Sequence, residues 1–262
     1  MTKTKNYTVS IFVIATKSYV DYALTLIESA LKWHEGKSQV QFILLTDREI
    51  APPPVSNISS FFTINSFQIP SYGWPEATLF RFHLMLEHWS HVSGDIVMYL
   101  DADTKIVAPL NFEELLQFCN HPLSNGITPV LAPGYYKRFF PLKMIIRTRL
   151  GPWETNRKST AYVAFMLRKN YVCGAVFWGL RDAFQQLCVE LRSQIDTDSK
   201  NRVLAKCNDE SHLNKWFSIN STVPANPEWA YAAGFRNLKT LKPRIEVIHK
   251  PSNFVRIPTD IR

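Results

Sequence analysis

The sequence predicts an α/β fold: a mostly parallel sheet with helices on both faces. Two observations carry that expectation. Short β-branched apolar runs alternate with segments of helical spacing through the N-terminal half, the pattern of strands covered on both sides by their connections. One of those runs, MYL, ends abruptly in two aspartates, Asp101 and Asp103, and the carboxyl ends of strands are where open α/β sheets bind ligands. In order, residues 8–17 read as a central strand. Residues 20–34 read as a helix, with Val20, Leu24, Ile27 and Leu31 in register. Residues 40–47 are a second strand, 51–60 a turn-rich loop and 61–69 a third strand. A helix follows over 75–89, with Pro75 in its first turn, and 95–100 is the next strand. The second half gives a strand at 171–180, helices from Arg181 and from Asp209, and a late strand at 244–250.

The chain has 262 residues, 46% hydrophobic and 20% charged, with seven tryptophans and seventeen phenylalanines. That is ample core material, and it argues against global disorder. No repeat or linker interrupts it, so a single domain is expected. The formal charge of +8 and pI near 9.3 favour an anionic partner. Nucleic acid ranks low among such partners, because the aromatics are not interleaved with basic residues as a stacking platform requires. Cys119, Cys173, Cys188 and Cys207 are scattered without a CxxC pair, which argues against a zinc site or disulfide framework and for a reducing compartment. The first apolar stretch is too short for a membrane span and lacks a cleavage pattern. The expectation is a soluble, cytoplasmic protein without signal peptide or transmembrane anchor.

Asp101 and Asp103 need an explanation, because an apolar core does not tolerate unpaired charge. A solvated Asx turn is one reading. The other is a divalent-cation site bridging to phosphate, since carboxylates suit hard cations. No glycine-rich cradle supports a dinucleotide or P-loop site: the first strand leads into Ile14-Ala15-Thr16-Lys17-Ser18-Tyr19. A haloacid-dehalogenase-like phosphohydrolase also places DxDx(T/V) after a strand, but here Lys105 holds the fifth position and threonine comes early, at Thr104.

Further motifs decide between these. Trp74 stands seven residues before Arg81. Pro133-Gly134-Tyr135-Tyr136 follows the DAD of Asp101, Ala102 and Asp103. Trp153-Glu154 precedes Ser159-Thr160-Ala161-Tyr162, and DESHLNKW runs from Asp209 to Trp216. With ATKSYV and the terminal HKPSNFVR, these make the chain resemble family 6 of the glycosyltransferases, the blood-group A and B type, over roughly residues 8–256. The resemblance implies a GT-A fold with a Rossmann-like sheet, a nucleotide-binding half at about 8–110 and an acceptor-binding half at about 111–262. It implies a UDP-sugar donor, a glycan acceptor, α-1,3 linkage with retained configuration, and a divalent metal, usually Mn2+, on Asp101 and Asp103. The early first strand makes the chain similar to a microbial or viral catalytic-domain-only member. The alternatives are the phosphohydrolase and an inactive glycan- or nucleic-acid-binding relative.

By the same resemblance, Tyr19 packs on uracil, with Ile14, Ala15 and Thr16 contacting base and ribose through backbone; otherwise Tyr19 is a core residue. Trp74 and Arg81, on one side of a helix, lie near the donor sugar and the DAD; otherwise Arg81 is a surface ion pair. Lys250 and Arg256 close over the diphosphate. Glu210 stabilises positive charge at the anomeric carbon, with Arg81 assisting, and Asp209 holds sugar hydroxyls. The pair also suits a helix start. Cys173-Gly174-Ala175 matches the donor-choice triplet, and its alanine favours UDP-galactose over UDP-N-acetylgalactosamine. Ala132, Cys207, Asn208 and Glu210 fall at acceptor positions, the first three departing from the family's residues, as does Ala232. Residues 137–169 hold nine Lys/Arg and one acid. They match a loop over the donor; much of the segment is expected to be exposed, to close on nucleotide, and to offer a peripheral contact to an anionic membrane.

Overall fold

Strands buried on both faces need apolar residues throughout, and the runs found in the sequence meet that need. In the computed structural model, which describes residues 7–34, 38–49, 61–136, 146 and 148–250, β1 (Thr8–Ala15) is buried at every residue but its first. β2 (Gln39–Thr46) is likewise buried after its first residue, and β4 (Ile96–Leu100) is buried throughout. β3 (Phe62–Gln68) is buried only at Phe62, as befits an edge strand. The six-stranded sheet has the order β3-β2-β1-β4-β7-β6, with β6 at Ile127–Leu131 and β7 at Val172–Leu180. β3, β2, β1 and β4 are mutually parallel; β7 is antiparallel to both neighbours. The 51–60 loop lies outside the described residues.

The two faces follow from side-chain alternation. Ile11 and Val13 point into one core with α1 (Tyr19–Trp33) and the later α4 (Phe112–Cys119). Phe12 and Ile14 point into the other, under α3 (Arg81–Glu87), α5 (Arg181–Lys200) and α6 (Asn208–Ile219). The buried stripe of α1 is Val20, Ala23, Leu26, Ile27 and Ala30, so Leu24 and Leu31 only flank it. The helix expected at 75–89 is divided at Phe80 into α2 (Glu76–Leu79) and α3, and Pro75 caps α2 rather than lying inside its first turn. Trp74 therefore precedes the helices and does not share one with Arg81.

A second sheet, β5-β9-β8, consists of β5 (Thr104–Ile106), β9 (Ile245–Val247) and β8 (Tyr231–Ala232). The late strand expected at 244–250 is β9, which pairs antiparallel with β5. The backbone bond from Ile248 N–H to the Asp103 carbonyl, 2.8 Å, carries the chain on to Lys250 beside the DAD turn. β1 and β4 are neighbours in the sheet, yet the chain leaves β1 towards α1 and β2 on one side and leaves β4 towards β5. Their carboxyl ends frame the crevice where such sheets bind ligands.

Candidate active site

The DAD turn is fixed by backbone before any ligand is considered. Asp101 N–H donates to the Ala175 carbonyl at 2.8 Å, and Thr104 returns its N–H and Oγ1 to the Asp101 carbonyl at 3.1 and 2.7 Å. Tyr99 Oη donates to Asp101 Oδ1 at 2.9 Å. Lys250 Nζ lies 2.5 Å from Asp103 Oδ2 and 4.8 Å from the centre of the Tyr19 ring. Burial raises Asp101 above the usual carboxylate range; Arg81 opposes that and the like charge of Asp103 adds to it. Burial alone would lower the Lys250 ammonium, but the bond and charge of Asp103 outweigh it and raise its pKa.

Arg81 is the hub of the site and is only 4% exposed, so it is not a surface ion pair. Its Nη1 donates to the Gly174 carbonyl at 2.6 Å. Nη2 lies 2.7 Å from Asp209 Oδ2 and 3.9 Å from Asp101 Oδ1. The guanidinium stacks 4.5 Å from the Tyr99 ring centre. Burial disfavours its charge, but Asp209 first, then Tyr99, Asp101 and Glu210, more than offset that. Asp209 is itself buried against Arg81; burial raises its carboxyl and Arg81 pulls it back.

Glu210 sits in the first turn of α6 with both carboxyl oxygens engaged. Oε1 accepts from Tyr171 Oη at 2.8 Å, and Oε2 from Gly174 N–H at 2.8 Å. Burial raises its pKa, with the Gly174 N–H and the Tyr171 hydroxyl both acting the other way. Gly174 thus joins Glu210 by its N–H and Arg81 by its carbonyl. A Cβ there would meet Glu210 Oε2 at 3.4 Å. The rest of DESHLNKW holds α6 in place. Asn214 accepts from Val172 N–H and donates to Val172 O, both at 2.9 Å, imitating a strand partner. Ser211 Oγ accepts from Cys207 N–H at 2.9 Å, and Trp216 Nε1 donates to Glu190 at 2.7 Å. His212 is buried beside Asp198, and burial lowers its pKa to about 4.

One cleft of about 590 Å³ is lined by Ile14, Thr16, Tyr19, Trp74, Arg81, Asp101, Ala102, Asp103, Cys173, Gly174, Ala175, Cys207, Asn208, Asp209, Glu210 and Lys250. Two expected residues are elsewhere. Ala15 packs in the core, and Ala132 joins a small apolar cluster with Trp153, Val163 and Tyr171. Arg256 lies outside the described residues. Sequence reasoning missed Lys17, Tyr72, Tyr99 and Lys206 in the cleft wall. It also missed Asp47, which accepts Lys17 N–H at 3.1 Å and Ser71 Oγ at 2.5 Å and so clamps the turn before Tyr19. Lys17 has φ +56°, a conformation that needs such support. An available signal was the apolar run of β2 ending in an acid, as β4 does.

The basic segment combines exposed stretches with buried anchors. Within 148–169, Trp153, Glu154, Ser159, Ala161, Val163 and Arg168 are buried. Its single acid is an internal anchor: Glu154 accepts from Asn156 N–H and Lys206 N–H, both at 2.6 Å. Asp198 of α5 accepts from Ser159 Oγ at 2.5 Å and Thr160 N–H at 2.7 Å. Leu150, residues 155–158, Phe165, Met166, Leu167 and Lys169 are exposed, while the buried residues between them anchor this half to the body of the protein. Residues 137–145 and 147 lie outside the described residues.

The sheet and its flanking helices make this an α/β fold of the GT-A type. The chain matches Glycosyltransferase family 6 over residues 1–257 and belongs to that family. It is 26% identical over 219 residues to globoside alpha-1,3-N-acetylgalactosaminyltransferase 1 of Homo sapiens, covering 82% of this chain and 58% of that protein. It is 23% identical over 163 residues to the O-antigen biosynthesis glycosyltransferase WbnI of Escherichia coli, covering 62% and 63% respectively. With histo-blood group ABO system transferase 2 of Rattus norvegicus the identity is 22% over 255 residues, covering 95% and 71%. The chain spans about three-fifths of the length of the first two relatives. Membership in this family displaces the phosphohydrolase alternative. Among the described residues no helix is long and apolar enough to cross a membrane.

Proposed function

We propose that the chain transfers galactose from UDP-galactose to a glycan acceptor in α-1,3 linkage, with retained configuration and a divalent cation, within a single domain whose donor half is about 8–110 and acceptor half about 111–262. The observation that carries this reading is the convergence in one cleft of Tyr19, the Asp101–Asp103 pair, Lys250, Arg81 and Glu210. In this reading the uracil lies on Tyr19, an aromatic face suited to a base, and the diphosphate lies beside the Lys250–Asp103 pair at the DAD turn. Arg256, outside the described residues, is proposed to join Lys250 there.

The carboxylates fit a hard cation. Both are oxygen donors, and Asp103 already attracts one cation, the Lys250 ammonium at 2.5 Å. Among the described residues no third carboxylate, histidine or cysteine completes a cage, which leaves positions for phosphate oxygens. Asp101 and Asp103 would hold Mn2+ or a similar ion. When bound, it neutralises charge on the departing diphosphate. Lys250 contributes to the same end from the protein.

Glu210 faces the sugar end of the cleft. Fixed by Tyr171 and Gly174, its carboxylate stabilises oxocarbenium character at the anomeric carbon, either as nucleophile or as a same-face electrostatic partner. Arg81 holds Asp101, Asp209 and the Gly174 carbonyl together, and Asp209 receives sugar hydroxyls beside it. Ala175 lines the cleft, where its methyl disfavours an acetamide. Cys207 and Asn208 line the acceptor end, and the departures there separate this acceptor from a fucosylated blood-group chain. A peripheral contact with an anionic membrane is also proposed. The direct test is a thermal-shift screen of nucleotides with and without Mn2+. Selective stabilisation by UDP and UDP-galactose, enhanced by Mn2+, is expected; no nucleotide response would overturn the reading.

A further inference from the structure

We propose that the 3₁₀ turn Phe165–Leu167, with Leu150 and Ile146 beside it, is a contact surface for an anionic lipid bilayer. This gives the membrane contact a location, and it does not rest on transfer activity. Phe165 is 46% exposed, Met166 69%, Leu167 37%, Leu150 69% and Ile146 51%. Single exposed apolar residues are ordinary, but a cluster of large ones marks a contact site.

The two stretches are neighbours in space. The Arg149 guanidinium lies 5.5 Å from the centre of the Phe165 ring and that of Arg168 5.9 Å from it. Arg168 Nη1 also donates to the Arg149 carbonyl at 3.4 Å. The turn stands on a firm base. Arg168 Nε and Nη2 donate to the Val163 carbonyl at 2.9 and 2.8 Å, and Val163 packs with buried Trp153 and Tyr171.

Charge selects the occupant. Arg157, Lys158 and Lys169 are exposed and Arg149 half-buried. The only acid in 148–169 is Glu154, which is buried and occupied by two backbone N–H groups. The segment therefore presents cations with no surface carboxylate of its own. Phe165, Met166 and Leu167 are three consecutive large apolar side chains, each exposed. Exposed apolar side chains with the Arg149 guanidinium against Phe165 and exposed cations in the same segment fit acyl chains beneath anionic headgroups. The face also adjoins the cleft wall: Leu150 is two residues from Pro152, whose carbonyl lies 3.7 Å from Cys207 Sγ.

The test is co-sedimentation of the full chain at low salt with phosphatidylcholine vesicles, with or without phosphatidylglycerol. Binding is expected only with the anionic lipid. Replacing the turn by Phe165→Ser, Met166→Ser and Leu167→Ser together should weaken binding about tenfold or more, with UDP affinity unchanged because these side chains lie outside the cleft. Arg157→Glu, Lys158→Glu and Lys169→Glu together should do the same, as should raised salt. Absence of binding to anionic vesicles would overturn the proposal, as would binding that the serine variant leaves intact. A serine variant that abolishes self-association, in a protein that ignores vesicles, would assign the face to a second copy instead.

Discussion

Tyr171→Phe removes a single hydroxyl that lies outside the cleft. Tyr171 is buried, so phenylalanine fills the same space, and the ring contacts with Trp153 and Tyr135 persist. What is lost is the 2.8 Å bond to Glu210 Oε1, together with the hydroxyl's contact to the Cys207 thiol. A hydrogen bond to a charged group contributes about 1.5–3 kcal/mol, so kcat at neutral pH should fall roughly 10- to 150-fold if that carboxylate acts in the transition state. The pH profile gives the sign. Burial already raises Glu210, and the Tyr171 hydroxyl partly counters it. Without that donor the carboxyl holds its proton to higher pH, so the acidic limb of kcat moves to higher pH and activity partly recovers as pH rises. UDP affinity should be unchanged, because Tyr171 does not line the cleft. The assay is UDP release across a pH series, with calorimetric titration of UDP as control. A variant with the wild-type rate and an unmoved acidic limb would refute the positioning of Glu210 by Tyr171.

Asp103→Asn should abolish transfer and weaken UDP binding chiefly in the presence of Mn2+; wild-type activity that persists in EDTA would remove the metal from the account. Ala175→Gly should raise use of UDP-N-acetylgalactosamine relative to UDP-galactose, by a factor bounded by the roughly 1–3 kcal/mol that one methyl commands. Competition between the two donors measures it, and a fixed ratio would place the choice at another residue. Asn214→Ala strands the N–H and carbonyl of Val172, a loss of about 2–5 kcal/mol. Calorimetric melting should show it, and an unchanged melting temperature would mean that water replaces the amide.

The parallel core was legible because burial on both faces leaves an unbroken apolar run, as in β1, β2 and β4. β6 was not, since Thr128 and Pro129 interrupt its pattern. It tolerates proline because it is an edge strand with an irregular register between Pro129 and Val130. The break at Phe80 was hidden because the apolar spacing runs on through it. In the cleft, charged residues at strand and helix ends stood out, and sixteen of the expected residues line it. The tyrosines did not. Tyr99 and Tyr171 read as core aromatics, and their hydroxyl partners, Asp101 and Glu210, are recognised only once β4, β7 and α6 are set side by side. The anchoring of the basic segment was hidden for a related reason: composition counts cations, but the lone acid Glu154 and the distant Asp198 decide what is anchored.

The central claim is that Glu210 acts on the transition state of hexosyl transfer rather than on donor binding. Glu210→Gln retains the shape and one acceptor oxygen while removing the charge. Turnover of UDP-galactose with Mn2+, measured beside the dissociation constant of UDP, separates the two roles. The account predicts a kcat lowered about a thousandfold or more with UDP affinity within about twofold of wild type. A kcat close to wild type, or a loss explained entirely by weaker UDP binding, would contradict it.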